Sequence, residues 1–324
     1  MKICILGAGA LGCAMGGVLT EAGHEVWLIN RHADQVYAMN QHGLMLRTDD
    51  VDRTVSVRAA TSAQGVPTGP GHAPVDLLIV LVKSFHTAEA MQSATGLLGS
   101  DTVVLSLQNG LGHEDVMAPL VGRHRLLAGK TYVGGTALGP GHVIAGTRRK
   151  LTLIGEPLGG MSARAQHVAE VFNQAGLDTT VSANIMGNIW DKLLVNVATG
   201  AVSGISGLPY GPLYQSAELQ ATAIAAVTEA MAVARASGVT LSITDPLDAW
   251  RMAGAGLPPE FRPSMLQSLD KGSITEIDFI NGAVVAQGAL LGVPTPVNAT
   301  LVACIKGIEQ RLQFGVPPAG LVRT

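Results

Sequence analysis

Lys192 occupies a mostly apolar stretch, Ile189-Trp190-Asp191-Lys192-Leu193-Leu194-Val195-Asn196. An ammonium there is costly unless it has a partner or a task; a lysine snorkelling from a helix edge is the plainer account. Asn196 follows at i+4, one helical turn on and on the same face. All nine histidines lie at or before His167, so the C-terminal part must find any proton donor elsewhere. Its lysines are Lys192, Lys271 and Lys306. Lys271 falls in a Lys-Gly-Ser turn and Lys306 has charged neighbours, so both read as solvated. Lys192 with Asn196 suits protonation of a developing alkoxide, as when a hydride reduces a carbonyl.

A second constellation lies at the other end of the chain. Gly7-Ala8-Gly9-Ala10-Leu11-Gly12 is G-x-G-x-x-G, a weak pattern by itself in a chain with 40 glycines. Here it follows a run of strand length and opens an apolar helix. In that context the glycines have separate tasks: a tight turn, close approach to a pyrophosphate, and helix–strand packing. The helix N-terminus adds N–H groups and a favourable dipole.

Where a carboxylate would bind a ribose 2′-hydroxyl, the second strand ends in Asn30-Arg31. A guanidinium pairs with the 2′-phosphate that a carboxylate would repel, which favours NADP(H); otherwise Arg31 is a solvated surface residue. Lys83 and Gln108-Asn109-Gly110 each follow an apolar strand, where open α/β sheets bind ligands. Lys83 suits the cofactor's phosphate or ribose, and Asn109 the nicotinamide and substrate, although either also reads as a strand terminator.

The elements that must hold these groups are legible. Lys2–Gly7, Glu25–Asn30, Asp76–Val82 and Thr102–Leu107 read as strands, with a helix at Ala10–Ala22. Continuous rather than alternating apolar runs fit a parallel sheet covered on both faces. Thr61–Pro74 reads as a surface loop, and Val143–Gly155 as further, antiparallel strands completing the sheet. Helices are expected at Ala183–Thr199, Ala217–Ser237, Ile274–Leu291 and Thr300–Phe314, with Arg251–Pro263 as a Gly/Pro-rich loop or lid. The fold class is α/β: an N-terminal Rossmann doubly wound sheet over 1–182 and a C-terminal all-helical domain over 183–324.

Two further residues have two readings. Ser273-Ile274-Thr275-Glu276 forms a capping box, so Glu276 closes a helix N-terminus or faces the cofactor cleft and orients the lysine or substrate. Ser264 caps a helix or binds a carboxylate.

Composition narrows the classes. With 47% apolar and 14% charged residues the chain can bury a large interior, and its net charge of −3 without a basic run gives no reason for a nucleic-acid partner. Cys4, Cys13 and Cys304 are isolated, as in a cytoplasmic protein with reduced thiols. Met1-Lys2 leads into a strand rather than a signal peptide, and no apolar run reaches membrane-spanning length. Histidine spacing suggests no metal site, and no G-x-S-x-G elbow supports a hydrolase. A homodimer is compatible with the apolar helices of the second half but does not follow from them.

Taken together these residues resemble the ketopantoate reductase family over nearly the whole chain. The resemblance rests on GAGALG at 7–12, the strand ending in Lys83, LQNGLG at 107–112, IWDKLLVN at 189–196, and PSMLQSLDKGSITEIDFINGAVV at 263–285. It implies NADPH binding by the glycine loop, Arg31, Lys83 and Asn109. It implies Lys192 as proton donor, Asn196 and Ser264 as substrate ligands, and Glu276 beside the cofactor and reacting centre. The substrate implied is a small 2-oxo acid, 2-dehydropantoate. One departure is Gly200-Ala201, where family members often carry Asn-Pro; the lost amide suggests a bulkier or different 2-oxo acid, with Tyr210 filling part of the gap. Competing expectations are a reductase of another 2-oxo acid, a relative of 6-phosphogluconate dehydrogenase, and a non-catalytic NADP(H)-responsive regulator. The last is disfavoured because a sensor needs only the nucleotide site.

Overall fold

The computed structural model describes residues 1–315; residues 316–324 of the expected helical domain lie outside the described residues. The chain divides into two units. One comprises Met1–Gln108 and Gly112–Met186; the other comprises Asn109–Leu111 and the chain from Gly187 onward.

The first unit begins β1 (Lys2–Leu6), α1 (Ala10–Glu21), β2 (Glu25–Ile29), α2 (Ala33–His42), β3 (Leu44–Thr48), β4 (Val51–Val55) and β5 (Arg58–Ala60). It continues β6 (Val75–Val80), α3 (Thr87–Ala94), β7 (Leu98–Ser106), α4 (His113–Val121) and β8 (Leu126–Thr131). It closes with β9 (Gly134–Gly139), β10 (His142–Gly146), β11 (Thr152–Gly155), α5 (Ala163–Gln174) and β12 (Thr179–Val181).

The main sheet has the order β12-β11-β8-β7-β6-β1-β2-β5. Its strands from β8 to β5 are parallel, and β11 runs antiparallel to β8. The chain moves outward from β1 to β2 and β5, then crosses back to β6 on the other side. That makes β1/β6 the topological switch point, where a doubly wound sheet opens a crevice at its carboxyl edge.

The continuous apolar strands have a direct cause. Ile3, Ile5, Leu28, Leu77 and Ile79 enter one buried cluster, while Cys4, Leu6, Ile29, Leu78 and Val80 enter another. Alternate side chains point to opposite faces, so both faces are covered.

The strands expected over Val143–Gly155 divide between two sheets. β10 does not complete the main sheet; it belongs to a second sheet, β4-β3-β10-β9, and only β11 and β12 extend the first. Helix α1 is lined by small residues because it packs closely on both sheets. Cβ atoms on Gly16 and Gly17 would lie 2.4 Å from Leu28 Cδ2 and 2.5 Å from Leu46 Cδ1.

The second unit carries α6 (Ile185–Ser206), whose first residues belong to the first unit, then α7 (Tyr210–Leu213), α8 (Ala217–Ala236) and α9 (Pro246–Gly254). It ends with α10 (Ser264–Asp270), α11 (Asn281–Leu291) and α12 (Pro296–Gln313). A buried polar network ties these helices. Glu229 on α8 accepts from the N–H groups of Val297 (2.8 Å) and Asn298 (2.9 Å) at the start of α12. Asn298 Oδ1 in turn accepts from Asn281 at 3.0 Å.

The helix expected over Ile274–Leu291 starts only at Asn281, after a 3-10 turn at Ile277–Phe279. The expected capping box has no helix to open, and the Ser273 N–H donates to the Ser268 carbonyl at 2.9 Å; next to it the Thr275 N–H and hydroxyl both donate to Glu309 Oε1 on α12, at 2.6 and 2.7 Å.

Candidate active site

In the first unit the glycine loop follows β1 at the switch point. The Gly7 and Ala8 N–H groups donate to the Ile29 carbonyl at 3.1 and 2.8 Å, which closes the turn against β2. Gly7 has φ +106°, and a Cβ there would lie 2.5 Å from the Val82 backbone nitrogen. A Cβ on Gly12 would lie 2.5 Å from the Gly7 carbonyl oxygen. At Gly9 the same construction meets nothing within 4 Å, and no side chain caps α1. The first N–H groups of an α-helix have no intrahelical partner. The loop is therefore a tight turn with an open face at the N-terminus of α1, a cradle that fits a pyrophosphate.

Asn30 braces this turn: its amide donates to the Ala8 carbonyl (2.6 Å) and its Oδ1 accepts from the His32 N–H (3.0 Å). Arg31 follows, exposed, with Nη1 donating to His86 Nε2 at 2.9 Å. Lys83, also exposed, precedes the 3-10 turn Ser84–His86. Gln108 fixes that turn by donating to the Val82 carbonyl and the Thr87 hydroxyl, both at 2.8 Å. Sequence reasoning assigned no task to His86 or to the side chains of Asn30 and Gln108; polar residues at strand ends were their only signal. Cys13, just after the loop, is buried and its thiol is pushed up to about 11 by desolvation, against a Gln35 hydrogen bond. It is an inert core thiol.

In the second unit Lys192, Asn196 and Gly200 are spaced by four on α6 and share a face. Lys192 and Asn196 are half-buried, between fully packed Trp190, Leu193, Leu194 and Val197. Asp191 is committed elsewhere: it accepts from the Ser242 N–H (3.0 Å) and hydroxyl (2.6 Å) and from the Ile243 N–H (3.1 Å). These contacts fix the rotation of α6 and so the direction of the lysine–asparagine face.

Gly200 is buried, and the atoms nearest its missing Cβ all belong to Met265, the closest at 3.5 Å. The space left by glycine is thus backed by Met265 and not by Tyr210. Tyr210 instead bonds Thr199 (3.1 Å) and packs on Phe261, ring centroids 5.0 Å apart. Its phenol is shifted up by burial, against the Thr199 hydrogen bond. A methyl group at position 200 makes ordinary contact with Met265. Gly200→Ala is therefore expected to raise stability by about 0.4–1 kcal/mol, read as a higher Tm; a lower Tm would show that the α6 backbone cannot carry the Cβ.

Ser264 is the first residue of α10 and exposed, with Pro263 in the capping position, so its hydroxyl is not the helix cap. Its neighbour Met265 ties α10 to the Gly200 turn of α6. Glu276 is half-buried and opens the 3-10 turn, where its carbonyl accepts from the Phe279 N–H at 3.0 Å. Thr275 takes the local capping work, since its hydroxyl also accepts from the Ile277 N–H at 3.2 Å. Asn109–Leu111 is locked to this turn by the Leu111 N–H donating to the Phe279 carbonyl at 3.0 Å. Gly110 is required there: its φ is +98°, and a Cβ would lie 2.4 Å from that same oxygen. The structure thus places Asn109, Lys192, Asn196, Ser264 and Glu276 in one unit, and the glycine loop, Arg31 and Lys83 in the other.

A groove in the first unit is lined by Glu21, Arg53, Asp49 and Arg148, includes none of the candidate site residues, and has charges that pair with one another. Among the described residues no group of three His, Cys, Asp or Glu side chains could hold a metal, and no helix is long and apolar enough to cross a membrane.

A doubly wound sheet with a glycine loop at its switch point, followed by a helical unit presenting lysine and asparagine, defines a Rossmann-type oxidoreductase that uses a nicotinamide cofactor. Family models described as ketopantoate reductase PanE/ApbA and its C-terminal domain match residues 3–158 and 184–309. The 2-dehydropantoate 2-reductase of Pyrococcus horikoshii is 36% identical, the match covering 95% of this chain and 98% of that one. The Streptococcus pyogenes serotype M1 protein of the same name is 31% identical, over 91% and 94%.

Among solved structures, a PanE/ApbA family ketopantoate reductase from Ralstonia eutropha superposes with TM-score 0.86 at 36% identity, over 97% of this chain and 100% of that one. D-mandelate dehydrogenase with NADH and anilino(oxo)acetate gives TM-score 0.88 at 28% identity, over 97% and 100%. The chain belongs to the ketopantoate reductase family.

Proposed function

We propose that the protein reduces 2-dehydropantoate to pantoate with NADPH. The observation that carries this reading is the Lys192–Asn196 face of α6, in a chain similar over nearly its full length to 2-dehydropantoate 2-reductases. The glycine loop, Arg31, Lys83 and Asn109 hold the cofactor, with Arg31 on the 2′-phosphate. When bound, the reduced nicotinamide supplies the hydride to the carbonyl carbon. Lys192 Nζ gives a proton to the carbonyl oxygen as negative charge develops there, and its positive charge stabilises that oxygen beforehand. Asn196 and Ser264 hold the substrate's polar groups. Glu276, which precedes a 3-10 turn and not an α-helix, orients the lysine or the substrate beside the cofactor.

The substrate test is NADPH oxidation against a panel of 2-oxo acids that includes 2-dehydropantoate and an aromatic member, phenylglyoxylate. The aromatic member answers the likeness to D-mandelate dehydrogenase, while the packing of Met265 against Gly200 supports the smaller substrate. The expected result is the highest kcat/KM for 2-dehydropantoate; a preference for the aromatic acid overturns the assignment.

Cofactor choice is checked with Arg31→Ala. Loss of a charge-assisted contact costs about 1.5–3 kcal/mol, roughly a 10- to 150-fold weaker NADPH affinity, with NADH binding nearly unchanged. Equal weakening of both cofactors would remove Arg31 from the phosphate.

A further inference from the structure

Arg31 does not stand alone at the end of β2. Its Nη1 donates to Nε2 of His86, which closes the 3-10 turn after β6. Strands β2 and β6 flank β1 on either side, with Leu6 in register with both Ile29 and Val80. The Arg31–His86 contact therefore spans the carboxyl end of β1, where the glycine loop begins. The imidazole is set on a braced segment. The His86 N–H donates to the Lys83 carbonyl (2.8 Å), the Thr87 hydroxyl to the Ser84 carbonyl (2.7 Å), and Gln108 clamps Thr87 and Val82. The Phe85 ring meets the imidazole edge-on, with centroids 4.6 Å apart. Glu89 on α3 approaches the opposite ring nitrogen, Nδ1, at 3.9 Å, which leaves Nε2 directed at the guanidinium.

From this geometry we infer that His86 is a second ligand of the adenosine 2′-phosphate, acting with Arg31 to select NADPH over NADH. This rests on the NADPH reading above. A phosphate oxygen between the two side chains replaces their mutual hydrogen bond: it accepts an N–H from the guanidinium and, with the imidazole in the tautomer that carries its hydrogen on Nε2, one from His86. In the bond they displace only the donor is charged, whereas the phosphate adds a charged acceptor and pairs with the guanidinium as an ion pair. The glycine loop and Lys83 serve both cofactors alike, whereas His86 meets only the phosphate that distinguishes them.

The test is calorimetric binding of two fragments, adenosine 2′,5′-bisphosphate and AMP, to the full-length protein. His86→Ala is expected to weaken the bisphosphate about tenfold and to leave AMP within about twofold. His86→Gln, which keeps an N–H near the Nε2 position, restores most of the loss. His86→Glu, at a partly exposed position that tolerates a charge, weakens the bisphosphate further still through repulsion. Equal effects on both fragments, or none on either, overturn the role of His86 while Arg31 keeps its own. A wild-type protein that binds the two fragments equally overturns the NADPH reading and this inference with it.

Discussion

Replacing Lys192 with alanine is expected to lower kcat about 10²-fold or more, while NADPH binds almost as tightly as to wild type. The separation follows from position. Lys192 lies on α6 of the second unit, whereas the glycine loop and Arg31 belong to the first. Its flanking side chains anchor the helix: Trp190, Leu193 and Leu194 are packed, and Asp191 holds the Ser242–Ile243 loop. Truncating a half-buried lysine therefore removes the ammonium without removing the scaffold. A lysine ammonium can give up its proton to an alkoxide and regain one from water. A guanidinium holds its proton too firmly to do so, and Lys192→Arg should recover little turnover despite keeping the charge. Steady-state kcat and KM together with calorimetric NADPH affinity read both halves of this expectation. Turnover within a few-fold of wild type in Lys192→Ala, or full activity in Lys192→Arg, would show that another group protonates the product.

The legible parts of the site were those whose signal is local. Lys192 and Asn196 are one helical turn apart, and the glycine loop compresses strand, turn and helix start into a few residues. The continuous apolar strands were legible because burial on both faces is a property of each strand by itself. What escaped depends on partners far along the chain. The second sheet pairs β3 with β10, Leu46 opposite Val143, and nothing within either segment announces so distant a neighbour. The Ser273–Glu276 pattern opens no helix: its middle residue Thr275 is held by Glu309, 34 residues further on, and the α-helix begins only at Asn281. His86 gains its place from Arg31, 55 residues earlier, and Gly200 its neighbour from Met265. Side-chain chemistry could be read where the chain is helical; who meets whom across loops could not.

The three glycines of the nucleotide loop should give three distinguishable phenotypes, because each lacks a Cβ for a different reason. Gly7 combines φ +106° with a Cβ position 2.5 Å from the Val82 nitrogen. Gly7→Ala meets backbone strain of about 1–3 kcal/mol and a steric clash of about 1–3 kcal/mol. Its Tm should fall by roughly 2–4 °C for each kcal/mol lost, even without nucleotide. Gly12 has helical backbone, but its Cβ would press on the Gly7 carbonyl oxygen at 2.5 Å. Gly12→Ala should therefore lose only the clash term and push α1 away from the turn. Gly9 has φ −74°, open to any residue, and nothing within 4 Å of its Cβ position. The protein itself has no objection to a methyl group there, so Gly9→Ala should melt with the wild type in the absence of nucleotide. The same methyl group would occupy the face on which a pyrophosphate approaches the backbone. An intrusion worth about 1–3 kcal/mol raises the Kd for NADPH roughly 5- to 150-fold, and the Tm gain on adding NADPH shrinks with it. Melting curves with and without NADPH for the three variants separate folding from binding. A Gly9→Ala protein that binds NADPH normally would reduce the loop to an ordinary strand–helix turn, because the second glycine has no other reason in this structure to be one.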